Sequence, residues 1–224
     1  MEGKVEAKPE VKAEVKPEVK AEVKEEEKKK VEGMPAEEDK KKEGKKREKK
    51  PVKKVEVIPD MAQLDIRVGK IVKVETHEDS KKLYFEEVDI GGGQIRKIAS
   101  GLRENVPIEQ LNNALVVVFC NLKERKLAGY PSYGMVLCAK TPDEKSIELL
   151  IPPAGSVAGD KVMAEGFELK PCADINVSKK NNPWTKCQPE LKSAADFTIN
   201  YQGKALKTDK GVIKAKSIVN AVIS

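Results

Sequence analysis

Histidine is nearly absent: His77 is the only one in 224 residues. It sits in the polar run T-H-E-D-S-K-K, which reads as a solvated turn, and no Cys–His pairing finds a third member. Acid–base or nucleophilic catalysis through histidine therefore has no footing. Cysteine is also scarce. Cys120, Cys138, Cys172 and Cys187 never occur in C-x-x-C spacing, and the first two lie inside apolar runs. Zinc would need all four, so a metal site is rejected, and buried thiols acting as small hydrophobes are expected instead. Free cysteines fit a reducing, cytoplasmic setting. No apolar run approaches the ~18 residues of a membrane helix, and the opening M-E-G-K-V-E-A-K lacks the apolar stretch of a signal peptide. Gly91-Gly92-Gly93 is not followed by Lys-Ser/Thr, so it reads as a hairpin turn rather than a phosphate loop. The expectation is a non-enzymatic protein without cofactor or metal.

Aromatic residues are few and unevenly placed. All nine lie at Tyr84 or later, and residues 1–58 also contain no leucine. That segment holds 19 Lys and Arg against 16 Asp and Glu. Ordering a backbone costs roughly 1–2 kcal/mol per residue, and so polar a segment has too little apolar surface to offset it. Residues 1–58 are therefore expected to be a disordered Lys/Glu-rich tail, and about 59–224 to fold. The tail repeats V-K-A-E and V-K-P-E with period four, but Pro9 and Pro17 interrupt any helix. Its charge is segregated. Residues 1–39 carry 9 basic and 13 acidic side chains, while residues 40–54 carry 10 and 2, a basic hinge before the folded part. The hinge would serve as an RNA contact, a localisation signal or a solubilising linker.

After Pro59 the pattern turns to strands. Residues 64–74 alternate apolar and polar, with Gly69 suggesting a bulge or bend. Further strands are expected over 83–90, 95–99, 115–120, 135–139 and 147–150, with a short helix over 107–113 opened by Pro107. Residues 115–120 are continuously apolar, as in a central strand. A helical piece at 185–191 and strands at 197–201 and 212–215 follow. Periodicity alone gives a small all-β domain.

The most informative stretch is N-L-K-E-R-K-L-A-G-Y-P-S-Y-G-M-V-L-C-A, Asn121 to Ala139. Lys123, Arg125 and Lys126 crowd the end of an apolar strand, and Gly129, Pro131 and Gly134 force what reads as a tight, irregular loop. Cations between strands of a small sheet are placed to meet a nucleic-acid backbone, although such clusters also occur simply as solvated loops. Ser132 can bond a phosphate or a 2′-hydroxyl, and the flexible, polarizable Met135 can slide against a sugar or base. Arg96, Lys97 and Ser100, and Arg67, Lys70 and Lys73 on the first strand, extend the set. Tyr130 and Tyr133 offer stacking faces or pack on the loop's own proline.

This segment closely resembles the signature of tRNA-binding domains of the endothelial monocyte-activating polypeptide II type, which occur appended to aminoacyl-tRNA synthetases or in free-standing synthetase cofactors. The resemblance covers about 61–224 and includes N-P-W-x-K-x-Q-P-x-L, Asn182 to Leu191. It departs from the usual loop in one place, where Leu127 replaces a methionine. It implies an OB-fold, a five-stranded Greek-key barrel, over 59–160, with a smaller β-rich extension over 161–224 that covers the barrel flank and leaves the chain monomeric. It implies that S-x-G-M, Ser132 to Met135, is part of the tRNA surface and that S-G-L (100–102) lies on the same face as N-L-K. Together with the cations read above, the expected RNA-binding set is Arg67, Lys70, Arg96, Lys97, Ser100, Asn121, Lys123, Arg125, Lys126, Ser132 and Met135. The resemblance implies binding of tRNA by shape near the elbow and outer corner, and delivery to a synthetase, with no membrane partner. Met1 and the long tail favour a free-standing cofactor. Two other readings follow from the family. One is a secreted cytokine-like polypeptide, because R-V-G-K-I-V (67–72) resembles the segment linked with that activity, though it is also simply the first strand. The other is an assembly scaffold for a synthetase complex.

Overall fold

The computed structural model describes residues 58–77 and 80–224. The tail with its hinge at 40–54 lies outside the described residues, as does the His77 side chain.

Three strands form an antiparallel meander: β1 (Ile66–His77), β2 (Ser80–Asp89) and β3 (Ile95–Ser100). β1 and β2 run farther than their alternation suggested and meet at His77 and Ser80. The bulge in β1 falls at Val72 rather than Gly69. Ile71 opposes Val88 and Lys73 opposes Glu87, which leaves Val72 as the extra residue and 47% exposed. Gly69 serves close approach instead. A Cβ there would sit 2.6 Å from Val88 Cγ1 and 3.0 Å from Val118 Cγ2, so glycine lets the neighbouring strands pack against β1 from both sides.

A short helix, α1 (Ile108–Leu111), with Pro107 just before it, leads into β4 (Leu115–Phe119). β4 pairs with β1 and with β7 (Met135–Val136). Its unbroken apolarity has a structural reason, since each face of the strand enters a different core. Val116 and Val118 join Ile71, Val88, Ile98 and Cys138 on one face. Val117 and Phe119 join Ile66, Val68, Leu137 and Trp184 on the other.

Between β4 and β7 lies a separate two-stranded hairpin, β5 (Arg125–Leu127) and β6 (Tyr130–Ser132). The sequence suggested an irregular loop there. β8 (Cys138–Lys140) and β9 (Ile147–Leu149) form a further hairpin. β10 (Lys161–Ala164) pairs with the start of β1, at Ile66 and Arg67.

The C-terminal part contributes α2 (Pro183–Cys187), β11 (Leu191–Ser193), β12 (Ile199–Tyr201), β13 (Lys204–Thr208), β14 (Gly211–Val212) and β15 (Val222–Ile223). α2 starts where Asn182 accepts the Thr185 N–H at 3.0 Å, with Pro183 in its first turn. β13 pairs with β10 and β12, β12 with β11, and β15 joins β11 to β8. Trp184 rests on Phe119 with ring centroids 5.0 Å apart, and Phe167 meets Tyr201 edge-on at 5.6 Å. One apolar core thus spans from β1 to the last residues. Among the described residues the architecture is mostly β, with two short helices and two 3-10 turns.

Candidate nucleic-acid interface

The end of β4 is fixed by Asn121. Its Oδ1 accepts the Asp65 N–H at 2.8 Å, and its Nδ2 donates to the carbonyls of Gln63 (2.9 Å) and Cys172 (3.1 Å). The backbone continues the clasp. Ile175 N–H donates to Asn121 O, and Lys123 N–H donates to Ile175 O. Asn121 is buried, and its polar groups are engaged inside the fold. Its internal bonds position the residues that follow it.

Those following residues are Lys123, Arg125 and Lys126, all exposed. Ala128 (φ 47°) and Gly129 (φ 80°) form the two-residue turn of the β5–β6 hairpin, which needs positive φ at both positions. Strand alternation then divides the cations. Arg125 and Leu127 line a cleft together with Lys123, whereas Lys126 opposes Pro131 and does not line it. Among the described residues none of the three cations forms an ion pair, so their charge is free to meet a polyanion.

The cleft, about 230 Å³, has apolar walls from Leu102, Leu122, Leu127, Met135, Ile147 and Val177. Lys140 adds a third lining cation that the sequence reading did not single out. Ser100 and Ser132 line it as well, but both hydroxyls have partners. Ser132 Oγ accepts the Ala99 N–H and donates to Gly134 O, both at 3.1 Å. Ser132 therefore ties β3 to the segment before β7, and its phosphate-bonding capacity is largely used within the fold. Ser100 Oγ donates to Glu86 Oε1 at 2.6 Å. Glu86 is completely buried, and burial pushes its carboxyl up to about 7 against the opposing Ser100 bond.

A second hollow lies beside the first, lined by Gln94, Ile95, Arg96, Lys97, Pro131 and Tyr133. Lys97 is exposed and Tyr133 half-buried, and the Tyr133 N–H donates to Lys97 O at 2.8 Å. Tyr130 packs its ring on Phe85, with centroids 4.4 Å apart, rather than standing free. Arg67 is held by both carboxylate oxygens of Asp65, at 2.8 and 2.7 Å, which raises its pKa further. Its charge is therefore largely neutralised. Lys70 is exposed, on β1 opposite Asp89 and Leu115. Lys73 pairs with Glu75 at 2.9 Å. Within 67–72, Val68 and Ile71 are completely buried, so only part of that run is presented at the surface.

The structure thus brings Ser100, Lys123, Arg125, Ser132 and Met135 to one cleft, and Arg96 and Lys97 to a hollow next to it. Arg67 and Arg96 both act on the buried thiol of Cys120, which burial pushes up to about 12. Among the described residues no group of three or more His, Cys, Asp or Glu is arranged to hold a metal, and no helix is long and apolar enough to cross a membrane.

Comparison with known proteins matches residues 66–161 to a family described as "Putative tRNA binding domain". The chain covers all of the crystal structure of the C-terminal domain of Plasmodium vivax p43, at 33% identity and a TM-score of 0.69, over 75% of its own length. The chain belongs to the tRNA-binding domain family of the endothelial monocyte-activating polypeptide II and p43 type. It is 40% identical over 165 residues to aminoacyl tRNA synthase complex-interacting multifunctional protein 1 of Cricetulus griseus, covering 73% of this chain and 45% of that protein. It is 43% identical over 171 residues to the cytoplasmic tyrosine–tRNA ligase of Danio rerio, covering 75% of this chain and 32% of the ligase. The chain therefore spans half or less of these two relatives.

Within this tRNA-binding-type domain, Lys140 and Glu86 are the site features that sequence reasoning missed. Lys140 ends a short strand and belongs to no basic cluster in the sequence. Glu86 sits in the run F-E-E-V-D, where only the pleat shows that it points inward while Glu87 does not.

Proposed function

We propose that this protein is a non-catalytic tRNA-binding protein that recognises the shape and backbone of tRNA and delivers it to an aminoacyl-tRNA synthetase in the cytoplasm. The observation that carries this reading is the set of exposed cations without an ion pair among the described residues, Arg125 and Lys126 on the β5–β6 hairpin and Lys123 just before it, beside an apolar cleft. Phosphate contacts give affinity without sequence readout, and an apolar cleft accepts a sugar or a base edge.

The scaffold is read as an OB barrel. β1 to β3, β4 and β7 supply its five strands, and the Tyr133 and Ser132 bonds to β3 bridge the side where no ladder runs between β3 and β7. The chain is read as a monomer, because its C-terminal part covers the outer face of β1 and β4. Delivery to a synthetase is supported by relatives that are themselves ligases or are named for interaction with the synthase complex.

The test is a salt titration of binding to several tRNA species. With 6–8 phosphates neutralised, affinity falls on the order of 10³-fold between 50 and 200 mM salt, with little discrimination among tRNAs. Replacing Lys123 and Lys126 by alanine lowers the salt slope by about 1 per cation lost. A flat salt response, or preference for a single tRNA, sinks the reading. Full binding by the double variant would favour the scaffold role instead.

A further inference from the structure

Glu86 is an unusual member of a small β core. It is completely buried, Oε1 accepts the Ser100 hydroxyl at 2.6 Å, and Oε2 is buried without any partner among the described residues. An unpartnered buried carboxylate oxygen destabilises a fold, so nothing in folding calls for this residue. Its position, however, is tied to the cleft. Ser100 and Cys138 line the cleft, and both report Glu86 behind them: Ser100 by its hydrogen bond, Cys138 because the Glu86 charge adds to the burial that raises its pKa.

A hydroxyl has one proton and two lone pairs. With its proton directed to Glu86, Ser100 has only acceptor capacity left for a group in the cleft. It can no longer donate to a phosphate oxygen; it can accept from an N–H or O–H. The cleft volume, about 230 Å³, is below the ~300–1,000 Å³ of pockets for drug-sized ligands. It suits one nucleotide's sugar and base, with Lys123, Arg125 and Lys140 placed for the flanking phosphates. The donor that every ribonucleotide carries, whatever its base, is the 2′-hydroxyl.

We propose that Ser100 accepts a hydrogen bond from a ribose 2′-hydroxyl seated in this cleft, and that the buried carboxylate of Glu86 is the positioning residue that fixes Ser100 as an acceptor. This rests on the RNA-binding reading above. It assigns the domain a point of discrimination between RNA and DNA that does not depend on base sequence. The ionised form of Glu86 is the active one, because a protonated carboxyl can itself donate to Ser100 and turn the hydroxyl's proton toward the cleft. The neighbours do not supply competing charge at neutral pH. Val74 of β1 and Ile98 of β3 flank Glu86 across the sheet. The titratable groups that respond to Glu86, namely Tyr84, Tyr130 and Cys138, are all raised by burial first and stay neutral. Burial and the Ser100 bond account for the Glu86 shift, and no charged side chain is among its causes; Lys123, Arg125 and Lys140 line the cleft that Ser100 also lines.

The experiment uses the full chain with tRNA transcripts in two forms, unmodified and carrying 2′-fluoro in place of 2′-hydroxyl. The fluoro sugar keeps the A-form pucker and removes the donor. At pH 8 the unaltered protein should bind the fluoro transcript about 3- to 10-fold more weakly, the span of one hydrogen bond. Ser100→Ala should lose most of that difference, and Glu86→Gln should behave like Ser100→Ala, because a neutral amide can donate to Ser100. Melting curves at pH 8 should show both variants folded. In the unaltered protein the preference for the hydroxyl transcript should shrink as pH falls through about 7, while Glu86→Gln shows no such dependence. If both folded variants keep the full preference, Glu86 and Ser100 do not read the hydroxyl. If Ser100→Ala weakens binding equally to both transcripts, the donor lies on the base and the 2′-hydroxyl assignment is wrong. If the unaltered protein fails to bind unmodified tRNA at all, the RNA-binding reading itself falls.

Discussion

At the scale of single residues, polar side chains that look functional divide into those engaged inside the fold and those left exposed without an ion pair among the described residues. Asn121 and Ser132 belong to the first group, each with its hydrogen bonds closed on backbone. Lys123 and Arg125 belong to the second. Glu86 stands apart because its burial destabilises. Its carboxyl is raised from 4.5 to about 7 by desolvation, with the Ser100 bond pulling the other way. A raised carboxylic pKa means that the folded state binds the proton more tightly than the unfolded state. The contribution to stability is therefore fully present below about pH 4.5 and is lost as pH rises to about 7, a span of about 3 kcal/mol. Glu86→Gln should remove this dependence. The stability difference between variant and unaltered protein, measured by urea unfolding, should favour the variant increasingly from pH 5 to pH 8. Taking the difference cancels the carboxylates with lowered pKa, such as Asp160 beside Lys210, whose effect lies at lower pH. A constant difference across that range would show that Glu86 is not desolvated as its burial indicates.

At the scale of elements, the β5–β6 hairpin decides where the cations point, and it is also where sequence reading fell short. The meander β1–β3 and the central β4 were legible because alternation and an unbroken apolar run record which faces are covered. The hairpin was not, because its turn is Ala128-Gly129 rather than Asn-Gly or Asp-Gly, and because Pro131 inside β6 reads as a strand breaker. Proline is tolerated there because only one neighbour, β5, pairs with that strand. The short strands β10, β13 and β15 were equally hidden. Runs such as K-V-M-A and K-A-L-K-T are too short for a period to show, and β10 and β15 find partners far away in sequence, in β1 and β13 and in β8. Of the site, the basic cluster was visible and its division by the hairpin was not. Ala128 at φ 47° pays a steric penalty that glycine avoids. Ala128→Gly should raise stability by about 0.5–1 kcal/mol, less the added freedom of the unfolded chain, and leave tRNA affinity within twofold. A loss of affinity with unchanged stability would mean that the alanine methyl itself touches RNA.

At the scale of the whole molecule, stability rests on the shared core between β1, β4 and the C-terminal part. Trp184 is its largest side chain, 6% exposed and packed on Phe119 with the rings tilted by 31°, in the same cluster as Leu191 and Tyr201. Among the described residues the exposed large apolar side chains, Val72, Ile95, Ile151, Val157 and Val219 among them, lie on separate segments of the chain. Among the described residues every core residue lies at Met61 or later, and residues 1–58 contain no leucine and no aromatic residue. Removing residues 1–57 should therefore leave the fold intact and weaken tRNA binding through loss of the ten cations of 40–54, whereas removing only residues 1–39, which are net acidic, should weaken it little. Equal binding by the two truncations would free the hinge of any role in RNA contact. In the 58–224 fragment, Trp184→Ala should cost about 3–5 kcal/mol, the range for emptying a buried aromatic site, and expose the outer face of β4. Sedimentation equilibrium should then find the unaltered fragment monomeric and the variant self-associating. A stable dimer of the unaltered fragment, or a variant that stays monomeric and equally stable, would show that the C-terminal part is not what seals this flank.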